Sequence, residues 1–178
     1  MINKTFKKLG LGTIIFFSGF SLPAIAQDKP KLTDPEIASV AVVANQVDMG
    51  YADIAIAKSK DTSILDFANT MKRDHQSVID QAVALVKKLG VTPKDNSVSQ
   101  KLLADAGKTK KMLNSKSGKA FNKAYIDNEV AYHKAVISMV DGVLIPQAQN
   151  QELKALLQKV SPILKAHLSH AEMLQKNY

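Results

Sequence analysis

The sequence predicts an all-α four-helix bundle with a short extra helix in its one long connection. Three observations lead there. Strand-like alternation is absent, and Ala, Leu, Lys, Gln and Val dominate. Four long stretches carry apolar residues at helical spacing. Two of the three joints between them are tight turns, and the middle one is long.

The first long helix is expected from about 34 to 59. Thr33 can cap it, Glu36 sits at the reciprocal capping-box position, and Pro35 is tolerated in the first turn. Its inward face is Ile37, Val40/Ala41, Ala44, Val47/Asp48, Tyr51 and Ile54/Ala55. Asp61-Thr62-Ser63 gives a turn and a new cap. The second helix then runs from about 62 to 89, with Ile64, Ala68, Met71, His75, Val78, Ala82 and Leu85 inward. Lys87, Lys88 and Gly90 form its C-terminus, and Pro93 prevents continuation.

Residues 91–117 are the least regular. A short basic helix is expected from about 98 to 113, ending in the turn sequence "NSKSG". The third long helix, from about 118 to 145, places Phe121, Tyr125/Ile126, Glu129, Tyr132/His133, Val136/Ile137 and Val140 inward and stops at Pro146. The fourth, from about 149 to 176, places Leu153, Leu156/Leu157, Val160, Ile163/Leu164, His167 and His170/Ala171 inward. Pro162 lies inside it, so this helix either kinks or restarts with Ser161 as a cap.

The 178 residues are read as a cleaved signal peptide over 1–26, a polar leader over 27–33 and one bundle domain over 34–178. Lys4, Lys7 and Lys8 precede an apolar run. Ala24-Ile25-Ala26 has the small-x-small pattern of a cleavage site between Ala26 and Gln27. A periplasmic, envelope-associated protein is therefore expected. No cysteine is present, which excludes disulfides, thiolate metal ligands and a cysteine nucleophile.

The formal charge of +8 is uneven. Ten lysines crowd between Lys87 and Lys123, against Asp95 and Asp105. This is either a solvated face or a contact for an anionic envelope surface. Nucleic acid is not expected as a partner, because no aromatics are interleaved for base stacking. Nothing in the sequence sets the oligomeric state.

Each long helix also carries an ionisable residue on its apolar face: Asp48, His75, Glu129 with His133, and His167 with His170. At about 1.5 Å rise per residue, Asp48, His75 and His133 all lie roughly 18–20 Å from a bundle end, with His167 about a turn off that level. Burying such groups costs several kcal/mol unless they are paired or ligated. One solution is a hydrogen-bond network in which Asp48 and Glu129 accept from the imidazoles, helped by Tyr51, Tyr125 or Tyr132. The other is a metal ion held by His75, His133, His167, Asp48 and Glu129. Imidazole with carboxylate suits Fe, Mn, Zn or Cu. Asp74 is either a ligand, a supporting partner or a solvated neighbour. No Ser/His/Asp order, phosphate loop or zinc-protease motif is present, so an enzyme of those classes is not expected.

Three blocks, "NQVDMGYADIAIAKSKDTSILDFANTMKRDH", "FNKAYIDNEVAYHKAV" and "SPILKAHLSHAEML", resemble the domain-of-unknown-function family 4142 over residues 36–176. The matching features are Asn45 and Asp48, Phe67-Ala68, Met71, Asp74-His75, Tyr125, His133, Pro162 and His167. The resemblance implies a ferritin-like fold in a bacterial protein often labelled an outer-membrane protein, and it implies no activity. A ferritin-type di-iron site needs Glu-x-x-His on two helices. Here Glu129 and His133 are four apart, and His167-x-x-His170 has no glutamate in register. These residues fit a single-ion site better than iron storage.

Overall fold

A computed structural model describes residues 30–178. The signal peptide and its cleavage point lie outside the described residues. The first two helices are α1 (Asp34–Lys58) and α2 (Thr62–Leu89). Next come α3 (Ser97–Asn114) and α4 (Gly118–Met139). A π-helical segment (Val140–Leu144) and one last turn (Ile145–Gln147) extend α4, and α5 (Gln151–Gln175) closes the fold. No strand occurs among the described residues.

Local chemistry sets each boundary. The Glu36 carboxylate accepts from both the backbone N–H and the hydroxyl of Thr33, at 2.9 and 2.7 Å. Asp61 caps α2 by accepting from Ser63 N and Ile64 N. Gly90 ends it at φ 63°, a left-handed conformation that costs glycine nothing. Asn96 and Asn150 cap α3 and α5 with their side-chain oxygens.

Two antiparallel hairpins, α1–α2 and α4–α5, form the bundle. Between them the 91–117 connection, with α3 in it, runs along α1 from one end of the bundle to the other. At one end Lys94 N–H donates to Pro35 O, and at the other the Lys58 ammonium donates to Asn114 O. This crossover returns the chain to the starting end of α2, so α4 runs parallel to α2. The extra helix expected over about 98–113 is found at Ser97–Asn114, packed along α1.

The end of α4 departs from expectation. Val136, Val140, Leu144 and Ala148 are all buried, at a repeat of four. Three such steps precess by about 120° on an α-helix of 3.6 residues per turn. The wider π segment absorbs that drift, with Ile145 N–H donating to Val140 O. Pro146 adds to the cause, because it has no N–H for the carbonyl of Gly142. In α5, Pro162 neither ends the helix nor starts a second one. Ser161 does not cap; its hydroxyl donates to Asp141 Oδ1 of the π segment at 2.7 Å.

The core has two halves. One is rich in aromatics: Tyr51, Phe67, Phe121 and Tyr125 pack with Ile64, Met71 and Ile126. The other is aliphatic: Ile37, Val40, Val136, Leu144, Leu157 and Val160. Each large side chain buried this way contributes about 1.5–3 kcal/mol. On every long helix the inward ionisable residue lies at the boundary between the halves: between Ala44 and Tyr51 on α1, Met71 and Val78 on α2, Ile126 and Val136 on α4, Leu164 and Ala171 on α5. The polar groups thus share one mid-height layer.

Candidate metal centre

Five side chains from all four long helices meet in that layer. Asp48 and Glu129 are fully buried, and His75, His133 and His167 are at most 6% exposed. The three imidazole centroids lie 5.2–5.7 Å apart. One ring nitrogen from each of the three histidines falls within 4.8 Å of the other two. Asp48, Glu129 and His133 form a second, overlapping group by the same measure.

Each imidazole is held from its outer side. Asn45 gives its amide N–H to Ala41 O at 2.7 Å, which turns its Oδ1 toward His75 Nδ1, also at 2.7 Å. His75 therefore carries its proton on Nδ1. His133 Nδ1 donates to the backbone carbonyl of Glu129 at 2.9 Å. His167 Nε2 donates to Asp74 Oδ2 at 3.0 Å. The other nitrogen of each ring, His75 Nε2, His133 Nε2 and His167 Nδ1, is buried and makes no hydrogen bond. Three lone pairs are aimed inward, each with its tautomer fixed by an oxygen behind it. Outer acceptors orient histidine ligands around bound metals in this way.

Asp48 faces the inward nitrogens, whereas Glu129 Oε2 lies 3.6 Å from His133 Nδ1, on the other side of that ring. Asp48 Oδ1 lies 3.5 Å from His75 Nε2, and Asp48 Oδ2 lies 3.7 Å from His133 Nε2. Both oxygens of Asp48 and both of Glu129 are buried without a hydrogen bond. The Asn128 amide lies beside Glu129 without closing one. The internal network expected as the alternative does not form. The carboxylate–imidazole gaps exceed hydrogen-bond length, the Tyr125 hydroxyl is unpartnered, and the Tyr132 hydroxyl donates away to Ala44 O.

Electrostatics follow from burial. It pushes Asp48 up to about 6, against a pull downward from His133. Glu129 is raised well above the usual carboxylate range by burial and then by the charge of Asp48. Burial lowers His75 to about 4. Burial also lowers His133 and His167, against the upward pulls of Asp48 and Asp74 respectively. Burial pushes Asp74 up too, but hydrogen bonds from His167 and Arg73 outweigh it and hold this carboxyl below its ordinary value. The three histidines are thus neutral near pH 7, the form in which imidazole ligates.

A model of the family described as "Domain of unknown function (DUF4142)" matches residues 20–174. The chain belongs to the DUF4142 family. No curated protein and no solved structure matches it. Membership of DUF4142 supplies no activity, so the chemistry of this member is argued from its residues.

The five expected residues lie in two overlapping groups that share His133. His167, expected about a turn away, stands level with His75 and His133. The reason is that α5 begins only at Gln151, after an extended link, and so His167 lies fewer helical residues from the bundle's end. His170 does not join: it is half-buried and meets the Phe67 ring edge-on at 5.1 Å between centroids. Asp74 supports His167 from behind. In the sequence Asn45 stands out only as a feature shared with the family, not as a partner of His75.

Proposed function

We propose that this protein binds one divalent transition-metal ion at mid-height in its bundle, through His75, His133 and His167 with Asp48 and Glu129. The observation that carries the reading is the set of three inward imidazole nitrogens, each buried, unpartnered and backed by a fixed acceptor. Two donors across a first-row ion lie about 4 Å apart; within each of the two overlapping groups, His75–His133–His167 and Asp48–Glu129–His133, the donors lie within 4.8 Å of one another, and side-chain rotations about the shared His133 would bring the two groups to one ion. Charge agrees as well. Once both carboxyls have released their protons, they and three neutral imidazoles carry −2, which one divalent ion cancels. The mixed nitrogen and oxygen donors suit Fe, Mn, Zn or Cu.

The test is elemental analysis of the protein purified from its own compartment, with melting curves in each metal and in chelator. One ion per chain and a melting temperature raised by that ion are expected. A metal-free protein whose melting is indifferent to all four ions would refute the centre.

We further propose that the chain is exported and acts in the envelope. The support is the basic start, apolar run and small-x-small site ahead of Gln27. The up-down-down-up connectivity with one long crossover supports a ferritin-like bundle. Secreted protein with Gln27 at its N-terminus is the expected finding, and full-length protein retained inside the cell would contradict export.

A second reading, contact with an anionic envelope surface through the lysines between Lys87 and Lys123, has weaker support. Five of the ten already pair with acids: Lys88 with Glu152, Lys94 with Glu36, Lys101 and Lys108 with Asp105, and Lys123 with Asp127. Its test is salt-sensitive binding to anionic vesicles, lost on charge reversal of Lys108, Lys110 and Lys111.

A further inference from the structure

The two halves of the core are not filled equally. The aromatic half is closed by rings. Below the donor layer, the aliphatic half encloses a cavity of about 40 Å³. Its walls include Ala44, Val78, Ala82, Val136, Val160 and Leu164, and its upper end is formed by Asn45, Asp48, His75 and His133. A second cavity of about 60 Å³ shares the wall residues Ala38, Leu85, Val86 and Leu153 with it. This second space continues toward Asp34 and Asn150, where α1 and α5 begin. Leu85 and Val86 are only half-buried. The two cavities mark an apolar route from the bundle's end to the buried donors.

We propose that this route and its inner cavity take up an uncharged diatomic gas, dioxygen in the first instance, and hold it against the donor layer. The choice of that ligand rests on the metal centre proposed above; the existence of the pocket does not. A water site needs two to four polar partners, and the lower walls of the cavity supply none. A cavity lined by aliphatic groups stays dry and binds apolar guests. The space exceeds the roughly 10–15 Å³ that one small molecule's centre requires. At about 40 Å³ the inner cavity is small, and it has no charge or donor in its lower walls for an ionic or sugar-like ligand. Of the polar residues that line it, Asn45 and Tyr132 are hydrogen-bonded, and Asp48, His75 and His133 carry atoms without a hydrogen-bond partner. A small apolar molecule at the upper end of the cavity lies against Asp48, His75 and His133, the ligands of the proposed ion.

The experiment uses methyl-labelled protein in metal-free and Zn-loaded forms, with dissolved dioxygen under pressure as a paramagnetic probe read by NMR relaxation. Severalfold larger enhancement is expected at the methyls of Ala44, Val78, Ala82 and Val160 than at those of Ile64, Ala68 and Ile126, which are buried in the aromatic half. Ala82→Leu fills the cavity and abolishes the difference while metal uptake is retained. Val160→Leu, a smaller change, serves the same purpose if the first variant does not fold. Equal enhancement in both halves, or a difference that survives filling, overturns the pocket whether or not metal binds. Selective enhancement in a chain that binds no metal overturns the link to the centre and leaves the pocket standing.

Discussion

Asn45 on α1 accepts the Nδ1 proton of His75 on α2 across 2.7 Å, and its own amide is spent on Ala41 O. The pair fixes which nitrogen of His75 faces inward. Asn45→Leu removes the acceptor and leaves a buried N–H unpaired. We expect a stability loss of about 1–3 kcal/mol by denaturant unfolding. Metal affinity should fall about 10- to 100-fold in titrations. Unchanged affinity would mean that the tautomer of His75 does not matter.

The histidines divide sharply. His133→Ala removes a donor at the centre of both overlapping groups and should abolish stoichiometric metal binding. His170→Ala touches only the edge of the Phe67 ring and should leave binding intact. Equal loss in the two variants would place the metal elsewhere.

Metal binding should stabilise by mass action. At free metal 100 times Kd the gain is about 2.7 kcal/mol, which for a chain of this size raises Tm by roughly 5–10 °C. Differential scanning calorimetry with and without chelator measures it. Asp74→Asn keeps an acceptor for His167 while removing the charge, so this variant should retain most of the shift.

Asp48 makes stability depend on pH in the metal-free protein. Burial raises its folded pKa from 3.8 to about 6, so the folded state keeps a proton that the unfolded chain releases. The stabilisation is complete below about pH 4 and is lost as pH rises through about 6, on the order of 2–3 kcal/mol in all. His75, lowered to about 4, acts in the opposite sense: its contribution is lost as pH falls from about 6.5 toward 4. Asp48→Asn cannot ionise. Metal-free Asp48→Asn should therefore exceed the metal-free parent in stability at pH 8, and the gap should close by pH 4 in urea titrations. Metal affinity of the parent should weaken as pH falls through 6, because Asp48 must release its proton to ligate.

The four long helices and their capping residues were readable because each boundary is written in local chemistry: Thr33 with Glu36, Asp61, and Gly90 before Pro93. Asp48, His75, Glu129, His133 and His167 were readable because a polar residue on an apolar stripe is conspicuous, and helical rise gave most of their depth. Asn45 and Asp74 were harder to assign. Their roles depend on which way a neighbouring ring turns, and periodicity carries no information about that. The π segment escaped for a related reason. Residues 136, 140, 144 and 148 suit a helical face closely enough that the drift shows only when the packed face is known.

The five donors are split between the two hairpins: Asp48 and His75 come from α1–α2, and Glu129, His133 and His167 from α4–α5. Neither half carries the whole donor set. An ion seated there would rivet a seam that is otherwise held by apolar contact, a few surface pairs and bonds such as Tyr132 to Ala44 O and His167 to Asp74. Pulled from its ends, the loaded molecule should yield in one high-force step, and the unloaded one should peel into two weaker pieces.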